Sequence, residues 1–306
     1  MAVALLMNGA ALIAADKEKE KEKEGPADPE EISLDTKDGF ILKCTYYAGM
    51  NEKNSVPIII LHDHKGQRSD FDALAKYLQK NGGHAVIVPD LRGHGESTKH
   101  RKANGEIGEM DAAKMKSLDY ANMAQYDIQA VKNYLKDKNN AGELNLEQLC
   151  LIGVGPMGSV SALNFAVVDW SRQVLIGYKL GQDVKAMVLV SPAANFEGNK
   201  TSDAVKHDFV GGRMSMMLIG GKKEKSELNT IYKQFEIRHK KPPKDPAERA
   251  KYQDLFLVNE EAEVKSTKLL DPRLGLGLDA KILKFIDLRL VSKADEMPWT
   301  ERKNPN

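Results

Sequence analysis

Short apolar runs alternate with helical patterns along the chain from about residue 31. The runs 56–61 and 85–88 are continuous and rich in β-branched residues, as in strands that are buried on both faces of a parallel sheet. Similar runs at 149–152, 186–190 and 214–219 each follow a stretch long enough for a helix. Because strands joined by helices indicate βαβ crossovers, the pattern predicts a doubly wound, mainly parallel α/β sheet of about eight strands.

The two ends of the sheet are predicted from weaker patterns. Residues 31–36 and 40–47 alternate between apolar and polar positions, with Asp38-Gly39 between them, which predicts a leading β-hairpin. Residues 262–264 are expected to form a last short strand. The sheet is therefore expected to begin with an antiparallel pair and to end just before a C-terminal helix.

Polar segments predict the loops and helix starts. The stretches 92–117 and 238–249 are rich in glycine, lysine or proline and are expected to be surface loops. Ser69 or Asp70 is expected to cap the first helix, and Asp279 the last.

The first thirty residues differ from the rest of the chain. Residues 2–15 are almost wholly apolar and end in Ile13-Ala14-Ala15, which is typical of a signal peptide, although a basic segment before the apolar run is missing. A disordered or interfacial tail is the alternative. Fourteen apolar residues are too few for a stable membrane span, which needs about 20.

These patterns predict four segments of different character. We expect a signal peptide at 1–15, a charged Lys/Glu linker at 16–30, a single domain at 31–292 and a C-terminal tail at 293–306. If the first segment is a signal peptide, the protein is exported to the periplasm or secreted; otherwise we expect it to be cytoplasmic.

Charge and cysteine content exclude several classes of function. The 45 basic and 44 acidic side chains give a net charge of +1, so no nucleic-acid partner is expected. Cys44 and Cys150 are the only cysteines, which excludes a disulfide framework and a cysteine-built zinc site. We expect no cofactor.

Four local motifs follow four of the predicted strands in order. They are His62-Asp63-His64-Lys65-Gly66, Pro89-Asp90-Leu91-Arg92-Gly93-His94-Gly95-Glu96-Ser97, Gly153-Val154-Gly155-Pro156-Met157-Gly158-Ser159, and Val188 to Pro192. In this order they resemble the oxyanion-loop, D-x-R-G-H-G-x-S, nucleophile-elbow and following-strand segments of lysophospholipase- and esterase-like serine hydrolases. The chain thus resembles the α/β-hydrolase superfamily over residues 31–292. Because no long insertion lies between 192 and 214, no large lid domain is expected and the pocket should be open.

The segment that resembles the nucleophile elbow contains no nucleophile. If Met157-Gly158 is taken as the end of the motif, Pro156 holds the nucleophile position; if Gly153 is taken as its start, Gly155 does. Neither residue has a hydroxyl, thiol or carboxylate, and both alignments remain open. Gly153 and Gly158 are expected to serve the tight turn.

The other members of a catalytic triad are also missing or displaced. The resemblance implies an acid after the strand that ends near 219, where only Glu224 is available, and a histidine shortly before the C-terminal helix. Residues 240–306 contain no histidine, and Ser266-Thr267-Lys268 occupies that neighbourhood. Ser159 is the nearest hydroxyl to the elbow, but we expect it in the first turn of the following helix, pointing away from the pocket.

The remaining candidates for the pocket are His62, Asp63, His64 and Met157. They lie at the carboxyl edge of the predicted sheet, where such folds bind ligands. A metal site is not expected, because consecutive residues seldom converge on one ion. His94, in Arg-Gly-His-Gly, is expected to be structural.

These observations favour a pseudo-hydrolase that binds a small molecule or a protein at the former active-site pocket. The alternative is an active carboxylesterase, lipase or peptidase that uses displaced residues such as Ser159 with His62 or His64. A third possibility is a scaffolding role for the charged spacer and the basic loop around 236–252. The sequence alone does not decide whether the protein is an enzyme.

Overall fold

The computed structural model describes residues 25–175 and 178–303. The predicted signal peptide and most of the predicted linker lie outside the described residues. Within the part that the structure describes, no helix is both long and apolar enough to cross a membrane.

An eight-stranded sheet forms the centre of the molecule. Its strands in chain order are β1 (Glu30–Asp35), β2 (Ile41–Tyr47), β3 (Pro57–Leu61), β4 (Ala85–Pro89), β5 (Leu149–Val154), β6 (Val184–Val190), β7 (Ser215–Gly220) and β8 (Leu255–Asn259). Their order across the sheet is β1-β2-β4-β3-β5-β6-β7-β8. β2 runs antiparallel to β1 and β4, and the other neighbours are parallel. The predicted leading hairpin and doubly wound sheet are confirmed.

The central strands are apolar throughout because both of their faces are covered. In β3, Ile59 and Leu61 pack into one hydrophobic cluster while Ile58 and Ile60 pack into the other. All four side chains are fully buried. This two-sided burial explains why the sequence shows continuous runs rather than alternation in these strands.

Helices cover both faces of the sheet. Among the described residues they are α1 (Asp72–Gly82), α2 (Ser117–Asn122), α3 (Ile128–Asn140), α4 (Gly155–Trp170), α5 (Thr201–Lys206), α6 (Asp208–Gly212), α7 (Lys225–Glu236), α8 (Pro246–Tyr252) and α9 (Leu278–Arg289). α1 and α9 pack on one face, whereas α3, α4 and α7 pack on the other.

The last strand is not where the sequence pattern placed it. It is β8, at Leu255–Asn259, and residues 262–264 form an irregular segment whose Ala262 carbonyl accepts a hydrogen bond from the Lys222 amide. The run 255–259 is uncharged and apolar apart from its last residue, which suits a strand beside β7, whereas the later segment is interrupted by carboxylates. The prediction of a strand at 262–264 was wrong.

Three helix predictions also need correction. Ser69 and Asp70 lie within a 3-10 turn that precedes α1. The predicted loop 238–249 contains the start of α8, which has Pro246 in its first turn, a position where the missing N–H costs nothing. Helix α9 is preceded by Gly277, at φ +60°, so Asp279 lies inside the first turn and is not the cap.

The predicted surface connection 92–117 is partly buried. It contains a hairpin made by Lys99–Arg101 and Ile107–Glu109. Before that hairpin, the side chains of Arg92, His94 and Ser97 are buried. Arg92 is enclosed because Asp127 and Asp38 pair with its guanidinium at 2.6 and 2.7 Å.

The residues of the predicted C-terminal tail that the structure describes pack against the domain. Asn139, Asn140 and Asn145 donate side-chain hydrogen bonds to backbone carbonyls of this segment. The buried guanidinium of Arg302 lies 2.6 Å from Asp183.

Candidate functional site

The elbow between β5 and α4 has Gly155 at its tip. Val154 is the last residue of β5 and is extended, and Gly155 follows at φ +70°, in the left-handed region. Pro156 comes next, inside the first turn of α4, where its fixed φ fits a helix. Of the two alignments that the sequence left open, the geometry therefore places Gly155, and not Pro156, at the strained position.

The neighbouring glycines of the elbow are required by close packing. A Cβ atom on Gly153 would lie 2.6 Å from the carbonyl oxygen of Gly158. One on Gly158 would lie 2.5 Å from the carbonyl oxygen of Leu61 in β3. Both contacts are far shorter than van der Waals distance, so the strand and helix approach each other this closely only because these residues are glycines.

The side chain of Asp63 occupies the space that a nucleophile at Gly155 would need. An ideal Cβ on Gly155 would lie 2.0 Å from Cγ of Asp63 and 2.1 and 2.4 Å from its two carboxylate oxygens. No residue other than glycine fits at the tip unless Asp63 moves. The carboxylate comes from the loop after β3, so an acidic group stands at the nucleophile position without being attached to the elbow.

Three donors hold the Asp63 carboxylate in this place. Oδ1 accepts hydrogen bonds from the backbone amides of His64 at 2.8 Å and Met157 at 3.3 Å. Oδ2 accepts one from the hydroxyl of Ser266 at 2.9 Å. Hydrogen bonds to a carboxylate are among the stronger ones in proteins, so this arrangement fixes the side chain.

The same hydrogen-bond chain continues through the positions of the other triad members. The Ser266 amide donates to Oγ of Ser191 at 2.7 Å, and the Ser191 hydroxyl donates to Oε2 of Glu224 at 2.6 Å. Ser266 lies between β8 and α9, where the resemblance implies a histidine. Glu224 is where the resemblance implies the acid, but a serine and not a histidine contacts it.

Among the described residues, three of the six non-glycine residues with positive φ lie in loops that contribute to this site. Lys65, Ser191 and Ser266 have φ of +63°, +52° and +55°, a region that side chains with a Cβ seldom adopt. Each such residue costs on the order of 1 kcal/mol or more, and such residues cluster at functional sites. All three lie in loops that follow the carboxyl ends of strands, close to Gly155.

Both nitrogens of the His62 imidazole lie within hydrogen-bond distance of backbone groups. It is fully buried; Nδ1 lies 2.8 Å from the Asp63 carbonyl oxygen, and Nε2 accepts the Leu91 amide at 3.0 Å. Burial lowers the pKa of His62 to about 4, so the ring is neutral at physiological pH. Both nitrogens are occupied, and His62 is therefore unsuited to act as a base for a displaced nucleophile.

His64 and His94 form a pair beside the elbow. Nε2 of His94 lies 3.3 Å from Nδ1 of His64, and Nδ1 of His94 faces the Arg92 carbonyl at 2.9 Å. Burial lowers the pKa of His94, which favours the neutral ring. The structural role predicted for His94 agrees with this bonding, because the ring ties its own loop together.

Two aromatic residues that the sequence did not single out stand next to His64. Phe196 and Tyr120 pack edge to face with their centroids 5.0 Å apart, and Phe196 lies 5.9 Å from the His64 ring. Tyr120 is on α2 and Phe196 is in the short segment between β6 and α5. Neither follows a strand directly, so no motif could have identified them.

The hydroxyl of Ser159 is bonded within the elbow. Ser159 is fully buried in α4, and its hydroxyl donates to the Gly153 carbonyl oxygen at 3.2 Å. Across residues 25–175 and 178–303, no group of three or more His, Cys, Asp or Glu is arranged to hold a metal ion.

The elbow also has no free oxyanion hole. In the resembling hydrolases the residue after the nucleophile supplies a backbone N–H to the developing oxyanion. Here that residue is Pro156, which has no N–H. The Met157 and His64 amides both point at the Asp63 carboxylate. Both amides are therefore already bonded to a carboxylate.

Comparisons with known proteins agree on the fold. A family model described as alpha/beta hydrolase fold matches residues 56–217, more than half of the chain. No curated protein matches the sequence significantly. Among solved structures, the Pyrococcus furiosus esterase Pf2001 has a TM-score of 0.59 at 13% identity, with 86% of this chain and 92% of the esterase covered.

Two further solved structures are similar to the same extent. A dienelactone hydrolase from Anabaena variabilis has a TM-score of 0.58 at 13% identity, covering 87% of this chain and 100% of that one. A predicted CIB-like hydrolase from Thermoplasma acidophilum has a TM-score of 0.54 at 14% identity, covering 86% and 99%. At identities this low, the structural similarity shows a shared fold and gives no information on activity.

Proposed function

The chain belongs to the α/β-hydrolase fold family, and we propose that it is a non-catalytic member that binds a small molecule or a protein at the former active-site pocket. The observation that carries this proposal is the Asp63 carboxylate, 2.0 Å from any Cβ that could be attached at Gly155. A nucleophile at this position would therefore require the Asp63 side chain to leave its present place. Acyl transfer needs a nucleophile, a base and an oxyanion hole together.

The proposed loss of catalysis is supported for the nucleophile, for the base and for the oxyanion hole. Gly155 has no side chain, and Pro156 has no N–H for an oxyanion. Ser266 replaces the late histidine and binds Asp63 and Ser191. Ser159 is buried, with its hydroxyl bonded to the Gly153 carbonyl. The polar groups of the site stabilise one another and leave none poised to attack a substrate.

The binding role is supported by what the site presents at its surface. Asp63, His64, Ser266 and Phe196 are each partly exposed. They combine a carboxylate, an imidazole, a hydroxyl and an aromatic ring at the carboxyl edge of the sheet, where folds of this kind bind ligands. Strained residues in three surrounding loops are also more typical of a site under functional constraint than of a plain surface.

Turnover of chromogenic esters tests the catalytic half of the proposal. We expect folded protein to hydrolyse p-nitrophenyl esters of short and medium chain length no faster than the same concentration of Gly155→Ala or Ser159→Ala protein. The rival enzyme would show saturable turnover that Ser159→Ala, or His64→Ala, abolishes while the thermal midpoint stays near that of the wild type.

Ligand-observed NMR against a fragment library tests the binding half. Fragments that bind the wild type but not Phe196→Ala or His64→Ala would support recognition at this pocket. Lys76→Ala, on the exposed face of α1, is the matched control and should bind like the wild type. Fragments whose binding none of the pocket variants alters would show that the former active site is not the binding surface.

Export is a separate proposal that rests on residues 1–15. Intact mass of the natural protein should correspond to a chain that begins at or near Asp16, because the apolar run ends in Ala14-Ala15. A mass that includes residues 2–15 would contradict cleavage and favour a cytoplasmic or interfacial form.

A further inference from the structure

The outer edge of β8 is an unpaired edge of the sheet. β8 is the terminal strand in the order, with β7 on its inner side only. The Met216 amide donates to the Asp254 carbonyl, and the Glu260 amide donates to the Gly220 carbonyl. The amide and carbonyl groups of the even-numbered residues in and around β8 therefore point toward β7. By the alternation of a strand, Leu255, Leu257 and Asn259 direct theirs outward. The Gln253 side chain donates to the outward Leu255 carbonyl at 2.8 Å, which fits this assignment.

Three of the devices by which proteins usually protect exposed strands are missing within β8. Those devices are charged residues, proline and bulges within the strand. β8 reads Leu-Phe-Leu-Val-Asn and contains no charge, proline or glycine, and β7 and β8 pair without a bulge. The opposite edge strand, β1, carries Glu30, Glu31 and Asp35. Charged side chains are therefore present on one edge strand of the sheet and absent from the other.

A basic cavity opens at the beginning of β8. It has a volume of about 840 Å³, and Gln253, Asp254 and Leu255 form one side of it. Four basic side chains also line it, namely Lys240, Lys241, Lys244 and Arg249. Within the described residues none of these four is in an ion pair, although Arg249 donates to the Gln253 amide oxygen. Of the acidic lining residues, Glu236 is exposed, while Asp254 is paired with Arg289.

Exposed apolar side chains border the same cavity. Ile237 lines the cavity and is 85% exposed. Tyr252, which is 52% exposed, directly precedes the lining residue Gln253 in the chain. An apolar rim beside unpaired cations and an open strand edge matches the way in which a sheet accepts an extended peptide.

We propose that the β8 edge and this cavity bind an extended acidic peptide, which adds a strand beside β8 and places its carboxylates among Lys240, Lys241, Lys244 and Arg249. Main-chain hydrogen bonds to the outward groups of Leu257 would give the register, and the cavity would give the preference for acidic residues. A second copy of the chain fits less well. The carboxylates beyond the end of β8, Glu260 and Glu263, already lie within 4 Å of lysines of their own chain.

Fluorescence anisotropy with defined peptides tests the proposal on the full chain. The probes are fluorescein-labelled peptides of four glutamates joined to Val-Thr-Val-Thr-Val, in both orders. We expect saturable binding of one order at 100 mM salt. The Lys240→Glu/Lys241→Glu variant should weaken it at least tenfold, whereas the control Lys76→Glu/Lys80→Glu, on α1, should leave it unchanged.

Strand addition is separated from simple charge attraction by the peptide backbone. N-methylation of either the valines or the threonines of the bound peptide removes the amide donors of one side of the strand without changing charge. We expect at least a tenfold loss for the set that faces β8 and a smaller effect for the other set. Equal binding of both methylated peptides, of polyglutamate or of a DNA oligonucleotide would overturn strand addition. Absence of binding by either order, or concentration-dependent dimerisation through β8, would overturn the peptide as occupant.

Discussion

At the scale of single residues, Gly155 and Asp63 form the central pair of the site. Gly155 supplies the left-handed backbone that the elbow needs, and Asp63 fills the volume that a side chain there would take. The sequence indicated that the elbow had no nucleophile, because that follows from residue types alone. It could not indicate that a carboxylate from another loop occupies the vacant place, because the contact joins residues 92 positions apart whose approach depends on the packing of β3 against β5.

We expect the effects of Gly155→Ala and Asp63→Ala on the free energy of unfolding to be strongly coupled. Gly155→Ala should lower the free energy of unfolding by about 3 kcal/mol, because it combines a positive φ with a clash against Asp63. In an Asp63→Ala background the same change should cost about 1 kcal/mol, since only the backbone strain remains. Urea unfolding of the four proteins measures the coupling. Additive effects would show that the Asp63 side chain does not occupy this space.

His84 gives a pH-dependent prediction at the same scale. Its ring is buried with no hydrogen-bond partner on either nitrogen, and burial lowers its pKa to about 4. Since the unfolded ring titrates near 6.5, the unfolded state binds the additional proton between about pH 6.5 and pH 4. The free energy of unfolding should therefore be unaffected by this group above pH 7 and fall as the pH drops through that window, by roughly 3 kcal/mol in full.

Replacement of His84 tests the sign of this pH dependence of stability. His84→Leu should reduce the proton uptake on unfolding between pH 4 and 6.5 by about one proton, measured from the slope of stability against pH. His62 titrates in the same direction and should maintain part of the slope in the variant. An unchanged slope in His84→Leu would contradict the assignment of a neutral buried ring.

At the scale of elements, the central strands were predictable and the last ones were not. β3 to β7 are buried on both faces, which imposes continuous apolar runs that are visible in the sequence. β8 is a short edge strand of four apolar residues and an asparagine, and a run this short does not by itself distinguish a strand from other structure. Helix α8 was missed because Pro246, which breaks a helix at most positions, begins this one. Local sequence carries little information on such choices, which tertiary packing decides.

The C-terminal segment gives a prediction at this scale. Arg302 is buried and pairs with Asp183 and Glu147 at 2.6 and 2.8 Å, although the segment is polar and reads as a tail. Arg302→Ala should lower the free energy of unfolding by about 2 kcal/mol, because hydrogen bonds to charged groups are lost while Asp183 keeps Lys132 at 2.5 Å. Lys303→Ala, at an exposed neighbouring position, should change it by less than about 0.5 kcal/mol. Equal small effects of both changes would show that the segment does not contribute to the packed domain.

At the scale of the whole molecule, an α/β-hydrolase fold is combined with a site that we propose to be non-catalytic. The sheet, the elbow and its glycines are maintained, and the order of the strands positions Asp63, Gly155, Ser191 and Ser266 at one edge. A hydrogen-bond chain from Asp63 to Glu224 lies where the resembling hydrolases hold their reactive groups. The proposed function thus separates fold from chemistry, as is possible when function is carried by a few side chains on a stable framework.

Intact-mass analysis after incubation with a fluorophosphonate tests this claim most directly, because the reagent reports an activated serine whatever the natural substrate is. We expect no adduct on the folded protein at a reagent concentration that fully labels an active esterase in the same tube. A stoichiometric adduct on Ser159, Ser191 or Ser266 that is lost on unfolding the protein beforehand would contradict it.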